Sequence, residues 1–99
     1  MASVEITFES PVQAANGPLH NAYPTSSEIL TSTASSQVST VSAAHTGQTV
    51  SITSKGGAVR CAIGSGTPNA ATGYFIVPDG ATRSFGSVIV SHKVAIIDI

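Results

Sequence analysis

The first segment of the chain alternates between apolar and polar residues. Residues 3–8, "SVEITF", place three apolar side chains on one side of an extended strand: Val4, Ile6 and Phe8. A period of two over this length is typical of a β-strand with one face buried. Residues 48–55, "QTVSITSK", repeat the alternation and end at the Gly56-Gly57 pair, which indicates a turn.

The segments on either side of residues 48–55 also favour strands. Residues 58–64, "AVRCAIG", predict a strand whose inward side chains are Val59, Cys61 and Ile63. Between residues 28 and 45 the chain is rich in serine and β-branched residues. This composition favours two short strands, near 28–33 and 37–43, over a helix.

The C-terminal third contains the clearest turn signal. In "GYFIVPDGATRSFGSVIV", residues 73–90, an apolar run stops at Pro78-Asp79-Gly80 and then restarts. Proline presets one backbone angle, glycine accepts a positive φ, and an aspartate side chain at a turn accepts bonds from nearby N–H groups. Gly86 predicts a bulge or a break in the following strand, and "KVAIIDI", residues 93–99, predicts the last strand.

Two segments do not fit a simple half-buried strand. Residues 74–77, "YFIV", are apolar on both faces, which predicts either a central strand or a strand whose outer face meets a partner. Residues 9–27 contain three prolines, the Asn16-Gly17-Pro18 turn signal and no periodicity. Such a long irregular segment is uncommon inside a compact domain, so it is predicted to be an extended arm used for attachment.

These elements predict an all-β fold. Seven to eight strands, spaced by turn signals, indicate one domain over residues 1–99 built as an antiparallel β-sandwich, jelly-roll or immunoglobulin-like, with the N-terminal arm as an extension. A small barrel is the alternative architecture.

Composition narrows the function classes. Only 9% of the 99 residues are charged and the net charge is −1, against about 25% charged residues in an ordinary soluble domain. This balance argues against nucleic acid and membrane partners. Serine and threonine make up about a quarter of the chain, and a hydroxyl-covered surface suits a protein that works inside an assembly. The segment "MASVEITFES" has no features of a targeting signal, so synthesis in the cytosol is expected.

The residues that could carry chemistry are scattered. His20, His45 and His92 lack the close spacing of a zinc site, and Ser65 in "IGSGT" does not fit the G-x-S-x-G nucleophile pattern. Cys61 shares its strand face with Val59 and is expected to be buried and inert. The sequence therefore predicts no enzyme activity, no cofactor and no metal.

The last two-fifths of the chain resemble a known class of proteins. A strand with a terminal glycine, a Thr/Pro/Ala-rich loop, the turn "VPDGATRSF" and the final strand "KVAIID" follow one another over residues 58–99. This segment resembles the small, low-charge β-sandwich virion proteins of tailed bacteriophages. The resemblance implies a capsid decoration or cement protein in the virion, often trimeric, whose partner is the major capsid protein. A fibre or head-tail component and a glycan- or receptor-binding module are the alternatives.

Protein–protein contacts are therefore the expected function of the exposed apolar residues. The arm and the two-faced strand supply the candidates, and Tyr23 is expected to anchor the arm on protein because an amphipathic ring suits that task. The candidate contact residues are Pro18, Leu19, Tyr23, Pro24, Tyr74, Phe75, Ile76 and Val77.

Overall fold

The computed structural model describes residues 1–10, 23–73 and 75–99. These residues form strands and one short 3-10 turn, and they contain no α-helix. The strands are β1 (Ser3–Ser10), β2 (Tyr23–Thr31), β3 (Gln37–Val38), β4 (Gln48–Lys55), β5 (Val59–Gly64), β6 (Phe75–Val77), β7 (Thr82–Val88) and β8 (Lys93–Asp98), and the 3-10 turn is Ala70–Thr72. The prediction of an all-β fold is confirmed.

The strands form two antiparallel sheets of four strands each. Sheet A has the order β2-β1-β4-β7, and sheet B has the order β3-β8-β5-β6. Apolar side chains from both sheets meet in a single cluster, because every second residue of the central strands points the same way. The largest buried apolar side chains are Val4, Ile6, Phe8, Val50, Ile52, Val59, Val77, Val94 and Ile96.

The predicted turn at Pro78-Asp79-Gly80 is present. The N–H of Ala81 donates to the carbonyl of Pro78 at 3.1 Å, and Gly80 has a φ of +77°. Asp79 Oδ1 accepts the N–H of Gly56 at 2.9 Å. The aspartate therefore ties the turn between β6 and β7 to the turn between β4 and β5, which is a structural role.

The boundaries predicted for the arm, 9–27, are wrong. Glu9 and Ser10 continue β1, and β2 already begins at Tyr23. The ladder between these strands shifts register between Phe8 and Glu9, and Glu9 is then opposite Pro24. A proline near the start of an edge strand removes little pairing, so Pro24 does not prevent the strand. The remaining part of the predicted arm, 11–22, lies outside the described residues.

Two further strand predictions need correction. The strand predicted at 28–33 is the second half of β2, which ends at Thr31. The strand predicted at 37–43 is regular only over Gln37–Val38. Beyond it, Ser39 donates to the carbonyl of Val94 and Ala43 donates to that of His92. Four positions along this segment, from Ser39 to Ala43, thus match only two along its partner, from Val94 to His92, which is incompatible with a regular ladder.

The structure also refines β5 and β7. Val59 and Cys61 are buried as predicted, but Ile63 is only half-buried and Ala62, on the opposite face, is buried. In the β4–β7 ladder Gln48 is opposite Val88 while Thr49 is opposite Gly86. One extra residue in β7 makes this a bulge, so the irregularity predicted at Gly86 is confirmed.

Candidate interaction surfaces

The outer face of sheet A is covered by hydroxyl groups. Since Val4, Ile6 and Val50 point into the core, their neighbours along each strand point outward. The outward residues that carry hydroxyls, here called the hydroxyl face, are Ser3, Thr7, Ser27, Thr31, Thr49, Ser51, Thr53, Thr82 and Ser84.

Hydrogen bonds between strands hold six of these nine hydroxyls in fixed positions. Thr53 and Thr82 share a bond of 2.7 Å, and Thr7 and Ser27 share one of 3.2 Å. Ser51 lies between two partners: it donates to Glu9 Oε1 at 2.7 Å and is 3.0 Å from the hydroxyl of Ser84. Cross-strand pairs of this kind order the side chains of a sheet surface. The face is therefore preorganised, and its charged side chains in β1 and β4 are Glu5, Glu9 and Lys55.

The outer face of sheet B is partly covered by its own loop. The 3-10 turn packs against β5 and β8, and Ala62 and Ala95 of these strands are buried although they point away from the core. Ala70 N–H donates to Ser36 Oγ at 3.0 Å, which fixes the turn to the segment before β3. A second contact lies at the end of the loop, where Arg60 Nη1 donates to the carbonyl of Gly73 at 3.2 Å.

A shallow groove remains beside this loop. It has a volume of about 340 Å³ and is lined by Ser36, Val38, Thr67, Pro68 and Asn69. The hydroxyl of Ser36 accepts the N–H of Ala70, and the side-chain oxygen Oδ1 of Asn69 accepts that of Ala71, both in the 3-10 turn. The groove therefore combines hydroxyl and amide groups with the apolar side chains of Val38 and Pro68.

The residues expected to form protein contacts lie in different environments. Pro18, Leu19 and Tyr74 are outside the described residues, and for Tyr23 only the backbone, in β2, is described. Pro24 is exposed in β2. Phe75 and Val77 point into the core, and Ile76 alone among the described residues of β6 is exposed.

The strand β6 lies at an edge of sheet B, so the first of the two alternatives for this segment, a central strand, is wrong, and an outer face that meets a partner stays a prediction. Across the sheet from Ile76 lie Arg60 of β5 and, one strand further, Ile97 of β8. Phe75 faces the other way and packs against Phe85 of β7, with ring centroids 4.3 Å apart. Arg83 covers this pair, its guanidinium carbon 5.1 Å from the Phe85 centroid, and donates to the carbonyl of Ile76. These contacts close one side of the core.

Cys61 lies beneath this closed side. Its side chain is buried, and burial raises the pKa of the thiol to about 12, while the positive charge of Arg83 acts in the opposite direction. A thiol with this pKa is protonated at neutral pH and is a poor nucleophile.

Exposed apolar side chains mark two more places on the surface. Ile29, in the edge strand β2, is 66% exposed. Ile89 and Val90 are exposed in the turn between β7 and β8, where Ser91 has a φ of +72°. The Ser91 N–H donates to the carbonyl of Ala43, so this turn is fixed to the neighbouring loop.

The alternation in the sequence predicts which residues of these strands point outward, but it does not identify the hydroxyl face as a functional surface. Ser51 and Thr53 alternate with buried residues, and this signal is visible in the chain. The exposure of Ile29 depends on the sheet order, which the alternation does not contain.

No metal site or membrane-spanning helix is found in the described parts of the chain. Within residues 1–10, 23–73 and 75–99, no cluster of three or more His, Cys, Asp or Glu side chains could hold an ion. A helix with the length and apolar character needed to cross a bilayer is also absent from these ranges. Comparisons of the chain with family models, curated proteins and solved structures found no match.

Proposed function

We propose that the chain is a structural virion protein of a tailed bacteriophage that decorates the head shell and stabilises it, without catalysing a reaction. The observation that supports this role best is the hydroxyl face, a sheet surface of ordered neutral groups on a rigid core. Neutral hydroxyls form hydrogen bonds across an interface without the desolvation cost of burying charges. The sequence resemblance of residues 58–99 to phage virion proteins favours the same role.

The strand order supports a jelly-roll type of sandwich. When the two sheet orders are compared position by position, β2 corresponds to β3, β4 to β5, and β7 to β6. Each of these pairs is consecutive in the chain, as expected when a folded-over ribbon wraps into two sheets. An immunoglobulin-like domain would instead have its strands in the orders A-B-E-D and C-F-G. Jelly rolls occur in viral capsid and lectin domains.

In this role the hydroxyl face binds the major capsid protein, and nucleic acid and lipid take no part. In β1 and β4 the hydroxyl face carries three charged side chains, Glu5, Glu9 and Lys55, so the interface would contain few ion pairs that salt could screen. Binding should therefore depend weakly on ionic strength. Many copies on a lattice would add avidity to modest single contacts.

The direct test is the heat-induced release of packaged DNA from particles of the phage that encodes this chain. Particles with and without the protein are compared at low and at high salt. Since a ligand of the intact shell stabilises it by mass action, the release temperature should rise with occupancy and then saturate at both salt concentrations. An unchanged release temperature at full occupancy would contradict the proposal.

A pair of variants tests the hydroxyl face. Thr7→Lys places a long charged side chain at its centre, between Glu5 and Glu9 on the same face, so folding should be retained. Ser65→Lys makes the same charge change in an exposed loop. We expect Thr7→Lys alone to lose binding to the shell, and equal binding of the two variants would exclude this face.

A glycan-binding module is the second candidate, favoured by the groove beside the 3-10 turn. Hydroxyl and amide groups such as those of Ser36, Thr67 and Asn69 suit sugar hydroxyls. Binding of the isolated protein to a glycan array, abolished by Asn69→Ala, would support this function. It would also place the protein at a fibre or tail position, in place of the shell.

A further inference from the structure

The four edge strands of the two sheets differ in how well they are protected from further pairing. In sheet B, β3 has two residues and β6 has three, which is too short for a stable ladder. In sheet A, β7 carries Arg83 and the bulge beside Gly86. Short edges, charges and bulges are the usual means by which proteins prevent edge-to-edge association.

The remaining edge strand, β2, is less protected, because its second half contains no bulge and no charged residue that points outward on the hydroxyl face. It has nine residues, and after the irregularity near Pro24 its pairing with β1 is regular from Ser26 to Thr31. This part contains no lysine, arginine, glycine or proline. Its one charged residue, Glu28, points away from the hydroxyl face and accepts the N–H of Thr40 at 2.8 Å and its hydroxyl at 2.5 Å.

The direction of the free backbone groups follows from the ladder. Ser32, the residue after β2, donates its N–H to the carbonyl of Ala2 at 2.8 Å. Because hydrogen-bonded pairs alternate along an antiparallel ladder, Leu30 and Glu28 also direct their backbone groups toward β1. The N–H and C=O groups of Ser27, Ile29 and Thr31 therefore point to the side of β2 on which the described residues place no strand.

We propose that this edge binds β2 of a second copy of the chain, antiparallel, so that the two A sheets join into one sheet about a two-fold axis. Pairing Ile29 with Ile29 of the second copy also sets Ser27 against Thr31 in both directions. All the outward backbone groups from Ser27 to Thr31 are then paired. The contact is self-complementary and closes at two copies.

Side-chain chemistry favours this register over the one in which Ser27 is opposite Ile29. Ile29, 66% exposed in the single chain, is covered by its symmetry mate on the hydroxyl face. On the opposite face Glu28 is then opposite Leu30. Shifting the pairing so that Ser27 is opposite Ile29 would place two Glu28 carboxylates opposite each other, which like charges disfavour.

This inference does not depend on the virion role, and it differs from the trimer that the sequence resemblance implies. Sedimentation equilibrium of the purified protein should show a dimer. Ile29→Lys places like charges at the two-fold axis and should yield a monomer with an unchanged circular dichroism spectrum. The matched control Ile89→Lys changes another exposed isoleucine, away from the edge, and should remain a dimer.

Cross-linking tests the register. The two Ile29 Cα atoms would lie about 5.5 Å apart, within the usual range for a disulfide. Ile29→Cys should therefore form a covalent dimer under mild oxidation, and Ile89→Cys should not, while the native Cys61 is buried and does not interfere. A monomeric or trimeric wild type, a dimeric Ile29→Lys, or equal cross-linking of the two cysteine variants would overturn the proposal.

Discussion

Gln48 connects three parts of the chain at one end of the core. Its side chain is 1% exposed, and its Nε2 donates to Ser10 Oγ at 2.8 Å and to Thr25 Oγ1 at 2.9 Å. Its Oε1 accepts the N–H of Ala44 at 2.7 Å. A glutamine at the start of a predicted strand gives no sequence signal for such a position, because it lies before the apolar alternation begins.

Replacing Gln48 should therefore be costly. Gln48→Leu leaves the Ala44 N–H and two hydroxyls without their partner, and the free energy of unfolding should fall by about 2–3 kcal/mol. Gln37→Leu is the control, because Gln37 is half-buried and makes one bond, to Thr33. Urea unfolding measures both variants, and equal losses would show that the Gln48 contacts do not stabilise the fold.

Because the Cys61 thiol is buried, we expect the free energy of unfolding to fall at alkaline pH. Its pKa rises from 9.0 to about 12 on folding because burial disfavours the thiolate. Above pH 9.0 the unfolded chain releases this proton and the folded chain retains it, so stability decreases as pH rises toward 12. Below pH 9.0 both states are protonated and the thiol contributes no pH dependence.

Cys61→Ala isolates this effect from the other groups that titrate in the same range. As pH rises above 9.0, the unfolding free energy of the wild type should decrease relative to that of the variant. Urea unfolding on both sides of this pH provides the measurement. A difference that stays constant would mean that the folded thiol ionises as easily as the unfolded one.

At the scale of elements, the sequence predicted strands whose inward residues are apolar. The strands β1, β4 and β8 were predicted for this reason. The Pro78-Asp79-Gly80 turn was predicted from its residue types. The part of β2 before residue 28 was missed because its inward residue Ser26 is polar and donates to the carbonyl of Ser42 instead of packing in the apolar core. The candidate surfaces were less predictable, since side-chain parity is local while the identity of the edge strands depends on sheet order.

The 3-10 turn illustrates how closely the loop packs on sheet B. Gly73, the residue that ends it, has ordinary backbone angles, yet a Cβ at this position would lie 2.3 Å from the carbonyl oxygen of Cys61. Gly73→Ala should therefore lower the free energy of unfolding by about 2 kcal/mol or more, since the clash is with backbone. Gly64→Ala is the control, because its Cβ would meet only Pro68 at an ordinary 3.7 Å. Thermal unfolding of the two variants should separate them clearly.

At the scale of the whole molecule, the first and last strands meet. Ser32 accepts the N–H of Ala2 at 2.7 Å and donates its hydroxyl to Asp98 Oδ1. In the two sheet orders β1 and β8 occupy matching positions, as the consecutive pairs do. The strands therefore form four corresponding pairs, and β8 and β1 are the one pair that the chain does not connect directly.

A circular permutant tests this arrangement. Joining residue 99 to residue 1 with a short Gly/Ser linker and opening the chain within 11–22 keeps all the pairings among the eight strands. We expect a β-type circular dichroism spectrum and cooperative unfolding like those of the parent. A permutant opened inside β4, in the centre of sheet A, is the control and should not fold. Failure of both would show that the β1–β2 connection is required for folding.

The position of β1 has a kinetic consequence. It is central in sheet A, and one of its two partners, β4, begins 38 positions after its last residue. Until β4 pairs with it, β1 and β2 can form only a hairpin, which is marginally stable alone. Folding dominated by such distant pairing is slow, in the millisecond-to-second range. During that interval the unpaired side of β1, with Val4, Ile6 and Phe8 uncovered, is the segment through which nascent chains would aggregate.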